Sequence, residues 1–427
     1  MKSRLFSGRA LAGFGIACAV AITSPVILQA VVGNPAYAED EAKPGTVSPE
    51  VGKPLQAAQA AIKEKKYGEA LAKLKEADAV AKKTPYEESL IDQLRLIAAV
   101  GSEEPATAAK SYDALNASGA LQPQQKVPFA QAIAGAFFKS KDYQSSASWI
   151  GKYFSAGGSD LTMRSLLAQA YYLNNDFANT TKASNEAIDA YDKSGQQAPE
   201  TLYQLLTSAA TKTGDKKAYT LALEKLTAAY PKPDYWLDLI HQTANKPGIS
   251  GKLDLDLYRF EDAVGVLTKT NDYMEYAELA IQAGFPGEAQ TVVDKGYKAN
   301  VLGQGAEADR HGRLRDMAKR SVDSDKGGLA AAETEAGKKP DGTGLVNTGM
   351  DYFGYGQYDK AISLIQAGIA KGGLKSADEA KLHLGVVQLA AGKKADAVAT
   401  WKSMKAGEPA DDVARLWLIK VNGKVPS

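Results

Sequence analysis

The sequence is poor in the residues that build most catalytic and metal sites. Its 427 residues include one cysteine, Cys18, and three histidines, His241, His311 and His383. No two of these histidines lie three or four residues apart, so none can form a helical metal-binding pair. The sequence also lacks a Gly-x-Ser-x-Gly segment, the signature of one large class of serine hydrolases. We therefore expect no catalytic residue, no metal and no cofactor, which favours a non-enzymatic protein.

An excess of charge of one sign is also missing. The chain has 51 basic and 50 acidic residues, for a formal net charge of +1. Three of the basic residues, Lys2, Arg4 and Arg9, lie in the segment 1–38, which contains no acidic residue. Without that segment, 48 basic residues face 50 acidic ones. Because so balanced a chain has no general attraction for polyanions, we expect no nucleic-acid partner.

The N-terminal segment 1–38 has the pattern of a secretory signal peptide. A basic start is followed by an apolar stretch over residues 10–32 and by Ala36-Tyr37-Ala38, where small residues flank a larger one. We predict cleavage after Ala38, which would also remove Cys18. The mature protein would then be exported, most simply to the periplasm of a Gram-negative bacterium, with no stable membrane span. An uncleaved anchor helix and a lipoprotein modified at Cys18 are the alternatives.

The rest of the chain favours helices in a repeated arrangement. Good helix formers predominate, and stretches of about 12–16 residues alternate with Gly, Asn, Asp or Pro, without sustained strand-like alternation. The segment that starts at Asp142 recurs at Asp176. Related segments start at Lys66, Gln357 and Lys393. These features predict an all-α protein made of repeated helix pairs.

This pattern resembles the tetratricopeptide repeat family, whose 34-residue unit is a pair of antiparallel helices. The step from Asp142 to Asp176 equals that unit, and small and large residues recur at the positions that the family uses. The matching sets are Leu167-Ala168 with Tyr171 and Phe177, Ile133-Ala134 with Phe137 and Tyr143, Ala70 with Leu74 and Ala77, Ala289 with Val293 and Gly296, Gly349 with Ala361, Ile365 and Gly368, and Gly385 with Trp401. The resemblance implies a right-handed α/α superhelix of about nine helix pairs that share one continuous core.

Five segments follow from this interpretation. We predict a signal peptide over residues 1–38, a polar leader over 39–53, a degenerate helical array over 54–337, a loop or hinge at 338–344, and C-terminal repeats with a capping helix over 345–427. Within the array, Gly327-Gly328 is expected to separate two helices.

The resemblance also implies where a partner binds, because the first helix of each family pair lines a groove. The residues that this places in the groove are Gln131, Phe138, Lys139, Ser165, Gln169, Tyr172, Gln204, Met350 and Phe353. The Lys, Arg and Asn clamp that the family uses for C-terminal carboxylates is missing at these positions. The implied function is a non-enzymatic scaffold for a protein or peptide segment.

Two finer interpretations of the partner remain open. The chain is similar to bacterial proteins labelled as components of the TonB energy-transducing system, which suggests an envelope or TonB-type complex. Alternatively, the array is a helical accessory protein for a cell-envelope assembly, a secretion system or a cell-wall-acting enzyme complex.

Overall fold

The computed structural model describes residues 46–426, and within this range the secondary structure consists of 20 α-helices and no β-strand. The predicted all-α fold is therefore confirmed. The signal peptide, its cleavage site after Ala38 and the start of the polar leader lie outside the described residues. No described helix is long and apolar enough to cross a bilayer.

Packing divides the chain into two compact units, which meet in sequence at Thr213 and Gly214. The helices of unit 1 are α1 (Pro49–Lys63), α2 (Tyr67–Asp78), α3 (Pro85–Gly101), α4 (Pro105–Ala117), α5 (Pro123–Lys139), α6 (Tyr143–Ser155), α7 (Leu161–Leu173), α8 (Phe177–Lys193) and α9 (Glu200–Thr213). Four hairpins, α1–α2, α3–α4, α5–α6 and α7–α8, pack against their neighbours in sequence order, and α9 packs on α7 and α8.

The period of the sequence is visible in the hydrogen bonds that begin the second helices. Asp142 precedes α6, and its Oδ1 accepts the backbone N–H of Ser145 at 3.0 Å. Asp176 holds the same place before α8, where its Oδ1 accepts the N–H of Asn179 at 3.1 Å. A side-chain acceptor at this position satisfies a backbone donor that the helix leaves unpaired. The sequence repeat is thus a repeat of local structure.

Small residues lie where the helices of a pair cross. At the α5–α6 crossing, the Ser146 hydroxyl donates to the backbone carbonyl of Ala134 at 2.9 Å, and both residues are fully buried. In the first hairpin, Ala70, Leu74 and Ala77 are fully buried. The backbones can approach this closely only because no large side chain intervenes.

Unit 2 continues with helices of the same kind. They are α10 (Lys216–Ala229), α11 (Pro233–Ala244), α12 (Asp254–Val264), α13 (Thr270–Gln282), α14 (Pro286–Lys298), α15 (Ala308–Lys338), α16 (Thr343–Gly354), α17 (Tyr358–Lys371), α18 (Ala377–Ala390), α19 (Lys394–Lys402) and α20 (Pro409–Asn422). Tight hairpins form at α13–α14, α16–α17 and α18–α19. At the last of these, a Cβ on Gly385 would lie 2.2 Å from the indole nitrogen of Trp401.

The last helix makes unit 2 close on itself. Helix α20 packs on the last pair, α18–α19, and also on α10, α11 and α12 at the start of the unit. Its Trp417 stacks on Trp401 at a centroid distance of 5.8 Å and meets the edge of Phe260 at 5.0 Å. Arg415 of α20 donates to both carboxylate oxygens of Glu224 on α10, at 2.6 and 2.7 Å. The capping helix is thus shared by both ends of the unit.

The predicted break at Gly327-Gly328 is wrong, because α15 runs through both glycines as one helix of 31 residues. Two glycines cost a helix roughly 2 kcal/mol relative to alanines. Contacts beyond the glycines offset this cost: Leu329 and Ala336 are buried, and the Tyr352 hydroxyl donates to Glu333 of α15 at 3.0 Å. The chain leaves helical geometry later, between Lys338 and Thr343.

Candidate binding surfaces

The first helices of unit 1 carry most of the predicted groove residues. Gln131 and Phe138 are two helical turns apart on α5 and therefore share a face, and both are half-buried. Gln169 and Tyr172 are half-buried on α7. Lys139 is exposed and forms an ion pair with Glu103. We call this surface the first-helix face of unit 1.

The predicted aromatic anchors are held by a second ring across the following turn. In each case the anchor lies at the end of one helix, and its partner begins the next. The pairs are Phe138 with Tyr143 at a centroid distance of 5.3 Å, Tyr172 with Phe177 at 5.8 Å, and Phe353 with Tyr358 at 6.0 Å. Such contacts fix the ring orientation, so a ligand would find these anchors already ordered.

Gln204 lies on α9, which contacts α7. It is half-buried, and its Nε2 donates to Glu200 Oε1 at 3.5 Å. Phe353 is half-buried on α16 of unit 2. The structure thus places Gln204 on a helix that contacts the helix of Gln169 and Tyr172.

Two predicted groove residues do not line a surface. Ser165 is only 8 % exposed, and its Oγ lies 3.5 Å from the Tyr191 hydroxyl of α8, so it faces the partner helix. Met350 is fully buried in the core that α16 shares with α17. Counting positions along a helix does not give the rotation of that helix against its neighbours, and this rotation turns both side chains inward.

Unit 2 contains a buried ionic network that the sequence analysis missed. Arg259 of α12 donates from Nε and Nη2 to the two carboxylate oxygens of Glu288 on α14, at 2.7 Å each. Its Nη1 donates to Asp256 at 2.8 Å, and the Tyr276 hydroxyl donates to Glu288 at 2.9 Å. His383 Nε2 of α18 lies 3.0 Å from the same Asp256 carboxylate. The network therefore joins four helices of the closed unit.

The electrostatics of this network keep the Asp256 carboxylate charged. Burial would raise the pKa of Asp256, but the charges of His383 and Arg259 hold that pKa well below its usual range. Burial and the Glu288 carboxylate raise the pKa of the Tyr276 hydroxyl. The arginine with two carboxylates is thus a structural clamp rather than a proton-transfer site. No local sequence pattern reveals it, because Arg259 and Glu288 are 29 residues apart.

A cleft of about 450 Å³ lies beside the network. It is bounded by α12, α13, α14, α15 and the α16–α17 turn, and this volume is in the range of small-ligand sites. The large side chains that line it are Tyr276, Glu288, Gln290, Val322, Lys326, Phe353, Tyr355 and Tyr358. Sequence reasoning found only Phe353 among them. Across residues 46–426, no three His, Asp or Glu side chains are grouped so as to hold a metal ion.

Comparison with known proteins gives no family assignment. No family model and no curated protein matches the chain. Solved structures that resemble it include the TPR2AB-domain:pHSP90 complex of yeast Sti1 (14 % identity, covering 69 % of this chain and 91 % of that one, TM-score 0.24) and yeast Tom70 (10 % identity, 87 % and 96 %, TM-score 0.23). A third is the APC/C heterotetramer Cut9–Hcn1 (12 % identity, 86 % and 66 %, TM-score 0.21). Because all three scores are low, the description of the fold rests on the helices of this chain.

Proposed function

We propose that this protein is a non-enzymatic scaffold that binds a protein or peptide segment along the first-helix face of unit 1. The observation that supports this most strongly is the repeated aromatic pair. Phe138 and Tyr172 occupy equivalent positions of successive repeats, and each is ordered by the ring across its turn. Partly exposed aromatic rings at fixed spacing are typical anchors for a binding partner.

Polar groups beside the rings suit an extended peptide backbone. Gln131, Gln169 and Gln204 lie on the first helices of successive repeats and are half-buried. A glutamine amide can donate to a peptide carbonyl and accept from a peptide N–H. The rings would hold side chains while the amides hold the backbone, the division of roles seen in grooves that bind extended peptides.

The location of the partner follows from the N-terminal segment 1–38. Its signal-peptide pattern supports export to the periplasm of a Gram-negative bacterium, where an envelope or TonB-type complex is the partner that we propose. N-terminal sequencing of the protein recovered from the periplasm tests this location. We expect the mature chain to begin at Glu39; recovery of an intact Met1 in the cytoplasm would contradict export.

Affinity capture from a periplasmic extract tests the binding face. The mature chain serves as bait beside the double variant Phe138→Ala/Tyr172→Ala. A matched control, Leu221→Ala/Leu237→Ala, removes exposed apolar surface from α10 and α11 instead. We expect the Phe138/Tyr172 variant to retain about a tenth or less of the captured partner, because two anchors are lost. Equal capture by both variants would show that the face is wrongly placed.

A further inference from the structure

The cleft of unit 2 has aromatic walls on a rigid base. Tyr276, Phe353, Tyr355 and Tyr358 line it, and Tyr358 is 37 % exposed. At the base, the Glu288 carboxylate is fixed by the Arg259 guanidinium and the Tyr276 hydroxyl.

Two glycines keep the opposite wall in place. A Cβ on Gly354 would lie 2.7 Å from the backbone nitrogen of Glu288, and a Cβ on Gly287 would lie 2.6 Å from the Tyr355 ring. The α16–α17 turn therefore sits directly against the first turn of α14. A cleft between elements packed this closely is formed before any ligand arrives.

Two acidic side chains, Asp325 and Asp351, lie close to Tyr355 but are not part of the cleft lining. Asp325 accepts the Tyr355 hydroxyl at 2.6 Å, and the Oδ1 of Asp351 is buried without a hydrogen-bond partner. Neither carboxylate has a Lys or Arg within ion-pair distance among the described residues. Burial and the charge of Asp325 raise the pKa of Asp351 to about 7. This is the effect expected when two carboxylates share a region without a cation.

The other carboxylates around the cleft are paired. Asp262 forms an ion pair with Lys295, and Glu288 is bound by Arg259. Only Lys326 brings a cation to the lining itself. It is exposed, and its Nζ lies 5.4 Å from the centroid of the Tyr355 ring. An ammonium group thus already lies over the ring whose hydroxyl donates to Asp325.

We propose that this cleft binds the lysine or arginine side chain of a peptide segment, with the cation against the face of the Tyr355 ring, whose hydroxyl donates to the Asp325 carboxylate. The aliphatic part of such a side chain suits Val292 and Val322, which lie in the same lining. The volume of about 450 Å³ also leaves room for neighbouring residues of the peptide. The inference rests on the proposed function and deepens it, since it adds a second peptide site and a preferred side chain.

Titration with four pentapeptides tests the inference. The probes are acetylated and amidated alanine peptides whose central residue is lysine, arginine, norleucine or glutamate, and n-butylammonium is a fifth probe. Binding to the mature chain is followed by saturation-transfer NMR. We expect the lysine and arginine peptides to bind about tenfold or more tightly than the norleucine peptide, because only they carry the positive charge that the Tyr355 ring and the nearby Asp325 charge attract.

Three variants place the binding in the cleft. Asp325→Asn should weaken binding of the lysine peptide about fivefold, whereas Asp323→Asn, an equal charge change on the exposed face of α15, should leave it within about twofold. Lys326→Met should strengthen it about threefold, because a competing cation is removed.

Several outcomes would overturn the inference. The first is that the glutamate peptide binds more tightly than the lysine peptide and that Lys326→Met abolishes this binding. The second is that n-butylammonium binds as tightly as the lysine peptide. The third is that Asp325→Asn and Asp323→Asn change binding of the lysine peptide equally. Phe138→Ala/Tyr172→Ala should not change this titration. Failure of the capture experiment and failure of this titration are therefore separate results.

Discussion

At the scale of single residues, Arg259 is predicted to contribute strongly to stability. Its guanidinium is buried, and its positive charge compensates the negative charges of Glu288 and Asp256, which are also buried. Arg259→Met leaves Glu288 without its cation, so we expect the free energy of unfolding to fall by about 3–5 kcal/mol in urea denaturation.

The surface pair Lys405–Glu408 supplies the control. Lys405→Met should leave the free energy of unfolding nearly unchanged, because both side chains stay in water. Adding Glu288→Leu to Arg259→Met should recover part of the loss, since the carboxylate of Glu288 is then no longer left unpaired. An Arg259→Met protein as stable as the Lys405→Met protein would refute the role of the network.

Asp351 gives the protein a pH-dependent stability. Its pKa is raised to about 7 by burial and by the charge of Asp325, from about 3.9 in the unfolded chain. The native state therefore holds this proton up to a higher pH than the unfolded state, and stability falls as pH rises from about 4 to 7. Glu261 adds to this trend, since burial and Asp272 raise its pKa to about 7.

Asp351→Asn should remove part of this slope. We expect the loss of unfolding free energy between pH 5 and pH 8 to shrink by about 2 kcal/mol when urea unfolding is repeated at each pH. The rest of the pH dependence would persist, because Glu261 still titrates in the variant. An unchanged slope in the variant would show that Asp351 is ionised across this range.

At the scale of helices, two glycines that both lie inside helices should change stability in opposite directions when each is replaced by alanine. A Cβ on Gly349 would lie 2.6 Å from Cγ1 of Ile365 across the α16–α17 crossing. Gly349→Ala should therefore lower the unfolding free energy by about 1–3 kcal/mol.

Gly328 in α15 has no atom within 4 Å of its Cβ position. Gly328→Ala should raise stability by about 0.5–1 kcal/mol. Equal effects in thermal denaturation would mean that small residues do not set the crossings.

The contrast between these glycines shows what the sequence could predict. Small residues at crossings recur at a fixed spacing, so Gly349 and Ala134 were predictable from periodicity. The continuity of α15 was not, because it depends on tertiary contacts made beyond Gly328. Ser165 and Met350 were misplaced for a related reason: counting along a helix gives a stripe but not the rotation of the helix against its neighbours.

At the scale of the whole molecule, unit 2 depends on closure by α20. Trp417 is 4 % exposed and contacts Phe260 and Trp401. Trp417→Ala should cost about 3–5 kcal/mol. Because α20 packs on α10–α12, we expect hydrogen exchange to accelerate there and in α18–α19. Lys420→Ala, an exposed change on the same helix, should leave exchange unchanged. Unaltered exchange in α10–α12 of Trp417→Ala would contradict closure.

Closure of unit 2 is the feature of the fold that is hardest to predict from the sequence. Arg415 and Glu224 are 191 residues apart in the sequence. Asp256 of α12 likewise contacts His383 of α18. Repeat periodicity describes neighbours along the chain, so it predicts hairpins but not which distant hairpins meet. The cleft also depends on helices that are distant in sequence, which explains why Phe353 was the only lining residue predicted as a site residue.

Photo-crosslinking in living cells tests the central claim, that the protein works by presenting the first-helix face of unit 1 to a protein partner. A photoreactive phenylalanine analogue replaces Gln169 on that face and, as a matched control, the exposed Gln144 of α6. We predict a discrete adduct with one envelope protein from position 169 and none from position 144. Adducts of equal yield at both positions, or an adduct from position 144 alone, would contradict the account.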